Sequence, residues 1–577
     1  MFYRKPSQSD LDRIDSIMGS LTLEQKVGQL FVFSLFGHRI YPDTYERILK
    51  MNCSGLRVYQ GDRMMRRYTK HETSEAIGDY RVPEPGGRDV TRIPAPHLSA
   101  ADYTKMYNTV KKMSMDRPGG IPLHLVCDQE GDAWADIIHG GVHFFPMPMG
   151  IGQSGDTDLC FRTYSAVAKQ MRAFGINMLH SPVLDVNSCP SNPEINIRSF
   201  FDSDPDKTSV FASEMIRAFA AENLMATGKH FPGRGRSFGD AHYDVTCIDA
   251  SRDNLLKLDI APFKDMINSG LRAIMLAHTA YASLDSTGNI ATISNTIVNE
   301  LLRQELGFDG VVTTDSISMG GLIKTCGNIP EACIRSVEAG ADLVLLKDDD
   351  WITVAAYEAM VDAVKSGRID EKRIDESVLR SLKMKAELNL FDNYDIVDES
   401  KTESILNDPK LFALEKEAAA KSVTILRNQD NIIPLPKNSK FLLVEQVSPL
   451  GKIVNNRDCH CSMIAESLQE AGLGNQGYQE VNFSITGSDI ARTHERLSQA
   501  DIIIFTNDYN RKAHNEYDPR LKLIKEVIDS GKKVIVISNC PYEKLTIPSF
   551  IKNVICTYGT VPATCRQVAD MLLKPRM

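Results

Sequence analysis

The chain predicts an α/β protein: a (β/α)₈ barrel of the TIM type followed by a smaller α/β sandwich. Three observations carry that expectation. First, eight short apolar runs recur through roughly the first 350 residues, each followed by a polar turn and a helical stretch, the pattern of a parallel sheet crossed by helices. Second, polar residues that can do chemistry sit where these runs end, and side chains at the carboxyl ends of barrel strands converge on one mouth. Third, after a polar stretch the alternation starts again with a shorter set of runs.

The barrel runs occupy 30–35, 55–59, 122–127, 177–184, 225–228, 271–277, 310–314 and 341–346. Leu23, Val27 and Leu30 fall at helical spacing just before the first. Between the second and third runs, 61–120 is longer than a βα connection requires, and it holds RMMRRYTK and VPEPGGRDVTRIPAP. That insertion reads either as a lid or specificity loop at the mouth or as a disordered or oligomer-contacting segment. The expected organisation is a catalytic barrel over 1–392, a polar linker over 393–408 and the sandwich over 409–577. In the sandwich a helix is expected from Pro409 to Ala420, then SVTILRN with IIPLP, and apolar runs at 441–444, 502–506, 533–538 and 554–558. Its glycine-containing turns match no phosphate fingerprint, so no nucleotide is assigned to it.

Composition narrows the function. The chain has 577 residues, 42% hydrophobic and 24% charged, which is ordinary for a globular protein with a sizeable core. A net charge of −9 argues against nucleic acid as a partner, and no apolar run is long enough for a membrane span. The opening residues lack the apolar stretch of a secretory signal, so a cytoplasmic location and free thiols are expected for the twelve cysteines. Cys459, His460 and Cys461 do not have zinc-knuckle spacing, and the glycines between His139 and His143 argue against a helix that would pair them. No metal and no cofactor is expected; oligomeric state is not legible.

The densest stretch is KHFPGRGRSFGDAH at 229–242, a loop leaving the fifth strand. Asp128, Asp185, Lys229, His230, His278 and Asp315 fall at or just past strand ends. One carboxylate nucleophile, Asp315, and one proton shuttle, His242 oriented by Asp240, are the minimum kit of a retaining glycosidase.

Here the chain resembles glycoside hydrolase family 3, in its branch of bacterial exo-β-N-acetylglucosaminidases. KHFPGRG with DAH is similar to the KHFPGHG…DSH signature of that branch, CDQEG at 127–131 to its DQEGG element, NIRSF at 196–200 to its RSF element, and TTDSISMGGL at 313–322 to its nucleophile segment. LEQKVGQLF and SVTILRN…IIPL fit its two-domain members. The resemblance implies that Asp315 is the nucleophile, His242 the acid/base and Asp240 its partner. It implies that Asp128, Arg198, Lys229 and His230 hold the terminal sugar, with His278 also facing the site. It further implies retention of configuration, no metal or organic cofactor, a glycoside or oligosaccharide substrate, and a setting in carbohydrate metabolism such as cell-wall recycling.

Three departures from the family pattern stand out. Asp136 occupies the position, eight past Asp128, where the family has a sugar-binding arginine; the stretch before it is Gly131-Asp132-Ala133; and Arg234 replaces a histidine. A carboxylate in place of a guanidinium inverts the local field and the donors available. Asp136 therefore reads either as a contact to an amino or otherwise altered group of the sugar, with the arginine-rich insertion reading the aglycone, or as a residue on a shifted loop facing solvent. Two rivals to hydrolysis remain at this stage. One is glycosyl transfer to phosphate, aided by Arg234 and Arg236; the other is a catalytically silent carbohydrate-binding protein.

Overall fold

The computed structural model describes residues 2–61, 97–132, 134–347, 351–447, 463–473, 477–482, 485–509 and 519–573. All eight expected barrel strands are present: β1 (Phe31–Phe36), β2 (Gly55–Tyr59), β3 (His124–Cys127), β4 (Met178–Leu179), β5 (Met225–Phe231), β6 (Ala273–Leu276), β7 (Val311–Thr314) and β8 (Val344–Leu346). Each pairs in parallel with its chain neighbour as far as β7, and β8 returns to β1. A parallel bridge from Thr313 to Leu343 joins β7 to the start of β8 and closes the ring.

The period-two alternation of each strand sorts its side chains into two layers. Val32, Val126, Met178, Met225, Ala273, Met275, Val311, Leu343 and Leu345 fill the barrel interior. Their neighbours Phe31, Leu125, Leu179, Ala226, Ile274, Val312 and Val344 face the helices. Those helices begin where the sequence supplies a cap: the Ser99 hydroxyl accepts from Asp102 N at 3.1 Å, and the Asp156 carboxylate from Leu159 N at 2.9 Å. Gly340, at φ 119°, ends the helix Ile329–Ala339 in the left-handed conformation that favours glycine.

Part of the long second connection is thereby accounted for. Ala100–Met113 is the barrel helix that follows β2, with Tyr103, Tyr107 and Val110 in the main core. The arginine-rich stretch and the Pro/Gly-rich stretch, read as either a lid or specificity loop or a disordered or oligomer-contacting segment, lie outside the described residues, as do Cys459, His460 and Cys461.

The stretch read as a linker is folded onto the barrel. The Asp395 carboxylate takes Lys111 Nζ at 2.8 Å, Asn177 Nδ2 at 3.0 Å and both terminal nitrogens of Arg172, and Thr402 bonds Thr104 at 3.0 Å. Beyond it, helix Pro409–Ser422 leads into six strands: β9 (Thr424–Asn428), β10 (Phe441–Val447), β11 (Gly477–Asn482), β12 (Ile502–Thr506), β13 (Lys533–Ser538) and β14 (Asn553–Cys556). Their order is β9-β14-β13-β12-β10-β11, parallel except for β9. Ile502, Ile504, Ile535 and Ile537 build the core on one face, while Ile503, Phe505, Val534 and Val536 build it on the other, which makes a sandwich. Strand β11, GYQEVN, was not anticipated, because its polar edge-strand composition lacks an apolar run. Among the described residues no helix is long and apolar enough to cross a membrane.

Candidate active site

Four of the expected residues meet at the barrel mouth because strand ends put them there. Asp128 follows β3 and Asp315 follows β7. Lys229 and His230 are consecutive on β5, where neighbours normally face opposite ways. A register shift between Lys229 and Phe231 turns both toward the mouth. With Arg57, Tyr59, Glu130, Trp134, Ala135, Asp136, Arg198, Arg234, His242 and Lys347 they line a cavity of about 200 Å³.

One wall is a buried ion network. Lys229 Nζ lies 2.8 Å from Asp128 Oδ1 and 2.6 Å from Glu130 Oε1. Arg198 grips Glu130 with Nε at 2.7 Å and Nη2 at 2.8 Å, its guanidinium stacked over Trp134 at 4.8 Å. Burial opposes ionisation of these carboxyls, but the cations outweigh it. Lys229 and Arg57 hold Asp128 well below the usual carboxylate range, and Arg198 and Lys229 bring Glu130 down to about 2.

Asp136 lines the cavity and does not face solvent. Its Oδ1 accepts Arg57 Nη2 at 2.6 Å and its Oδ2 accepts the backbone N–H of Asp128 at 2.7 Å, so both oxygens are occupied. Arg57 itself comes from β2 and also donates to Asp128 Oδ2 at 3.0 Å. Its Nε and Nη1 are buried without a hydrogen-bond partner in the protein. A cation is thus present near the position where the family arginine is missing, delivered from a different strand and balanced by Asp136. Asp132, the other acidic departure, points away from the pocket and accepts Thr560 N at 3.1 Å from the second unit.

Asp315 sits among cations at the far wall. Its Oδ1 accepts Ser316 N at 2.7 Å, and its Oδ2 is 3.8 Å from His230 Nε2. Burial works against its charge, yet the cations, Lys347 above all and Arg234 with it, hold its carboxyl well below the ordinary value. His230 is neutral: burial and Arg234 bring it down to about 4. Because Arg234 Nη2 donates to its Nε2 at 3.1 Å, the ring proton is on Nδ1, bonded to Asp185 Oδ2 at 2.7 Å. Asp185 and His278 stand behind the pocket. His278 bonds Thr292 Oγ1 at 2.7 Å and Ser316 O at 3.0 Å, so it supports the loop that carries Asp315 and does not line the cavity.

His242 is the most open of these groups, with 38% of its side chain exposed. Its Nδ1 lies 2.8 Å from Asp240 Oδ1 and equally 2.8 Å from Glu194 Oε1. Carboxylates only accept, so Nδ1 carries the proton, and the ring lines the pocket. The loop is held to the segment after Asp315 by Gly320 and Gly321, whose N–H groups donate to His242 O at 3.0 Å and Ala241 O at 3.1 Å. A Cβ at Gly321 would lie 2.4 Å from Asp244 O, so this approach needs glycine.

Glu194, Asp240 and His242 are the one group of potential metal ligands within 4.8 Å of one another among the described residues. Their facing atoms are already bonded to one another, to Ala241 N at 3.0 Å and to Arg234 Nη1 at 3.1 Å, which fits a hydrogen-bonded cluster better than a cation site. Sequence reasoning missed Arg57, Glu130, Glu194 and Lys347. Arg57 was signalled by a lone cation inside the apolar run GLRVY, and Lys347 by its place just past the eighth run. Glu194 gave no signal, since its partner His242 is 48 residues away.

The glycosyl hydrolase family 3 N-terminal domain matches residues 22–384. Beta-hexosaminidase A of Pseudoalteromonas piscicida is 28% identical over 503 residues, which span 80% of this chain and 81% of that protein. The beta-N-acetylglucosaminidase/beta-glucosidase of Cellulomonas fimi is 25% identical over 491 residues, 81% and 83% of the two chains. The solved glycoside hydrolase family 3 beta-N-acetylglucosaminidase from Paenibacillus sp. str. FPU-7 superposes with a TM-score of 0.81 at 27% identity, covering 96% of this chain and 97% of that one. A beta-glucoside phosphorylase has the same fold, with a TM-score of 0.77 at 20% identity over 99% and 95%. With barrel, mouth and motif order all in agreement with a match over well over half of its length, the chain belongs to glycoside hydrolase family 3.

Proposed function

We propose that this protein is a retaining, exo-acting hydrolase that removes terminal β-linked N-acetylglucosamine, or a related hexosamine or glucoside, by double displacement. The observation that supports this best is that Asp315, ionised at any physiological pH, and His242, its ring proton held on Nδ1 by two carboxylates, line one small cavity together with Asp128. At about 200 Å³ the cavity is below the roughly 300–1,000 Å³ of drug-sized sites, which suits one sugar ring and an exo mode of action.

Asp315 attacks the anomeric carbon and forms a glycosyl ester while His242 Nε2–H protonates the departing oxygen. The neutral His242 Nε2 then takes a proton from water, which attacks the same carbon and releases Asp315 with the original configuration. Asp240 keeps the imidazole in the Nδ1–H tautomer. Asp128 and Lys229 offer an acceptor and a donor to ring hydroxyls. Arg57, with Nε and Nη1 uncommitted, fills the role of the missing family arginine, and Asp136 positions it. Arg198, His230 and His278 act by holding these groups in place.

Hydrolysis is preferred over transfer to phosphate because Arg234 is bound to Glu194 and His230, and Arg236 is paired with Asp259 at 2.7 Å. A rate insensitive to phosphate is expected. The test is intact-protein mass spectrometry after brief exposure to fluorinated glucosyl and N-acetylglucosaminyl probes with a dinitrophenol leaving group. An adduct on Asp315 is expected; labelling of another residue, or none in folded protein, overturns the reading.

A further inference from the structure

Glu194 belongs to the loop after β4, is 1% exposed, and has no assigned part in the reaction. Its Oε1 meets His242 Nδ1 at 2.8 Å, and its Oε2 accepts both the backbone N–H of Ala241 at 3.0 Å and Arg234 Nη1 at 3.1 Å. One buried carboxylate therefore holds the ring of the acid/base, the backbone beside it and a guanidinium fixed at the end of β5. Asp240 differs in kind. It lies two residues from His242, bonds its backbone N–H at 2.9 Å as well as its ring, and so travels with the loop. Its bonds to His242 set the tautomer from within the loop.

Glu194 ties the loop to the barrel. Its own N–H donates to Asn192 Oδ1 at 2.9 Å, and Asn192 Nδ2 donates to Arg234 O at 2.9 Å. Its carbonyl accepts Arg198 Nη1 at 3.0 Å, and the preceding carbonyl, of Pro193, accepts the Tyr509 hydroxyl of the second unit at 3.0 Å. Arg234, 1% exposed, neutralises the carboxylate, without which two anions on one imidazole would repel each other.

We infer that Glu194 is a positioning residue: it docks the loop-borne Asp240–His242 pair against the sugar pocket, with Arg234 as its counter-charge and Tyr509 extending the brace to the second unit. This rests on the reading of His242 as the acid/base. It also gives the second unit a part in catalysis that touches no substrate.

General acid catalysis matters when the leaving group is poor, so a displaced His242 has a signature that general damage lacks. For E194Q the rate on methyl β-N-acetylglucosaminide should fall by about 100-fold, while trapping of Asp315 by a dinitrophenyl fluoro-sugar should slow by less than about threefold. Tyr509→Phe should show the same selectivity with a smaller loss. Equal loss on both leaving groups makes Glu194 a structural residue and overturns the inference, as does no loss on either. If E194Q does not fold, the selectivity of Tyr509→Phe decides, and its absence overturns the inference. H242A separates the two levels: retained turnover of the methyl glycoside by H242A defeats the acid/base reading itself, whereas loss in H242A with none in E194Q defeats only the part assigned to Glu194.

Discussion

The barrel mouth and the second unit both bury carboxylates at the carboxyl ends of parallel strands, and they treat them in opposite ways. Asp128, Asp185 and Asp315 are held below the ordinary range and Glu130 is brought down to about 2, whereas Asp136 is the exception at the mouth, raised by burial and by the neighbouring Asp128 despite Arg57. In the second unit Glu445, on β10, and Asp508, just past β12, are pushed up to about 7. Burial acts on all of them in the same direction. What differs is the company: Arg57, Lys229, Lys347, Arg198 and Arg234 stand at the mouth, whereas Glu445 is met by the backbone N–H groups of Ile464 and Ala465 at 2.8 and 3.2 Å. Asp508 feels Asp132 from the barrel more than it feels Arg520. Strand-end geometry alone thus does not make a reactive carboxylate. The cations around it do, and they are concentrated on the barrel.

The largest effect that would sharpen this contrast is on rate. Asp315→Asn should lower kcat on the order of 10⁴-fold or more, since it removes the attacking oxygen, while Asp508→Asn should leave kcat within about twofold. A steady-state comparison on one activated glycoside is sufficient, and comparable losses in both variants would break the division between the two regions. Next comes stability. Glu130→Gln strands Arg198 and Lys229, both buried, and should cost about 3–5 kcal/mol in urea unfolding. Glu130 titrates near 2 when folded and higher when unfolded, so its contribution is present above the unfolded value and is lost as pH falls from about 4 toward 2. The gap between wild type and variant should close over that window.

How far the sequence reached follows the same division between strand and loop. All eight barrel strands were legible because period-two burial on both layers leaves apolar runs, and the end of a run marks the mouth. Asp128, Lys229, His230 and Asp315 were readable for that reason. The reading of Asp136 as facing solvent failed because its partner, Arg57, is 79 residues away, and only folding makes the two a pair. Glu194 was invisible for the same reason. Strand β11 was missed because an edge strand with one polar face carries too weak a pattern.

Arg57 tests whether the compensated departure is functional. On the proposed role of Arg57 at the pocket, Arg57→Ala should reduce kcat/KM by about 10- to 100-fold, mostly through KM, because a cavity-lining cation disappears and Asp136 is left without it. Kinetics with N-acetylglucosaminide, glucosaminide and glucoside substrates would show whether the loss is selective for one glycone. An unchanged KM for all three would leave Asp136 and Arg57 as structural partners only.

The smallest effect is expected where the comparison is most easily inverted. At pH 8 Glu445 is ionised in a buried site where, among the described residues, no cation pairs with it, so removing its charge should help. A shift from 4.5 to about 7 is worth on the order of 3 kcal/mol between those limits. Gln, however, keeps only one acceptor oxygen for two N–H groups that now bond different oxygens, which gives back about 1–2 kcal/mol. Glu445→Gln should therefore be more stable than wild type by about 1 kcal/mol at pH 8 and less stable by a similar amount near pH 4, where the native carboxyl is protonated and both states carry the proton. The crossing has a definite sign: the unfolded chain releases the proton near its ordinary value and the native chain holds it to about 7, so wild-type stability falls as pH rises through that interval while the variant is flat. Calorimetric unfolding at four or so pH values checks it. A Glu445→Gln variant destabilised at pH 8 as strongly as Glu130→Gln would mean that the second unit, too, holds its carboxylates as working anions.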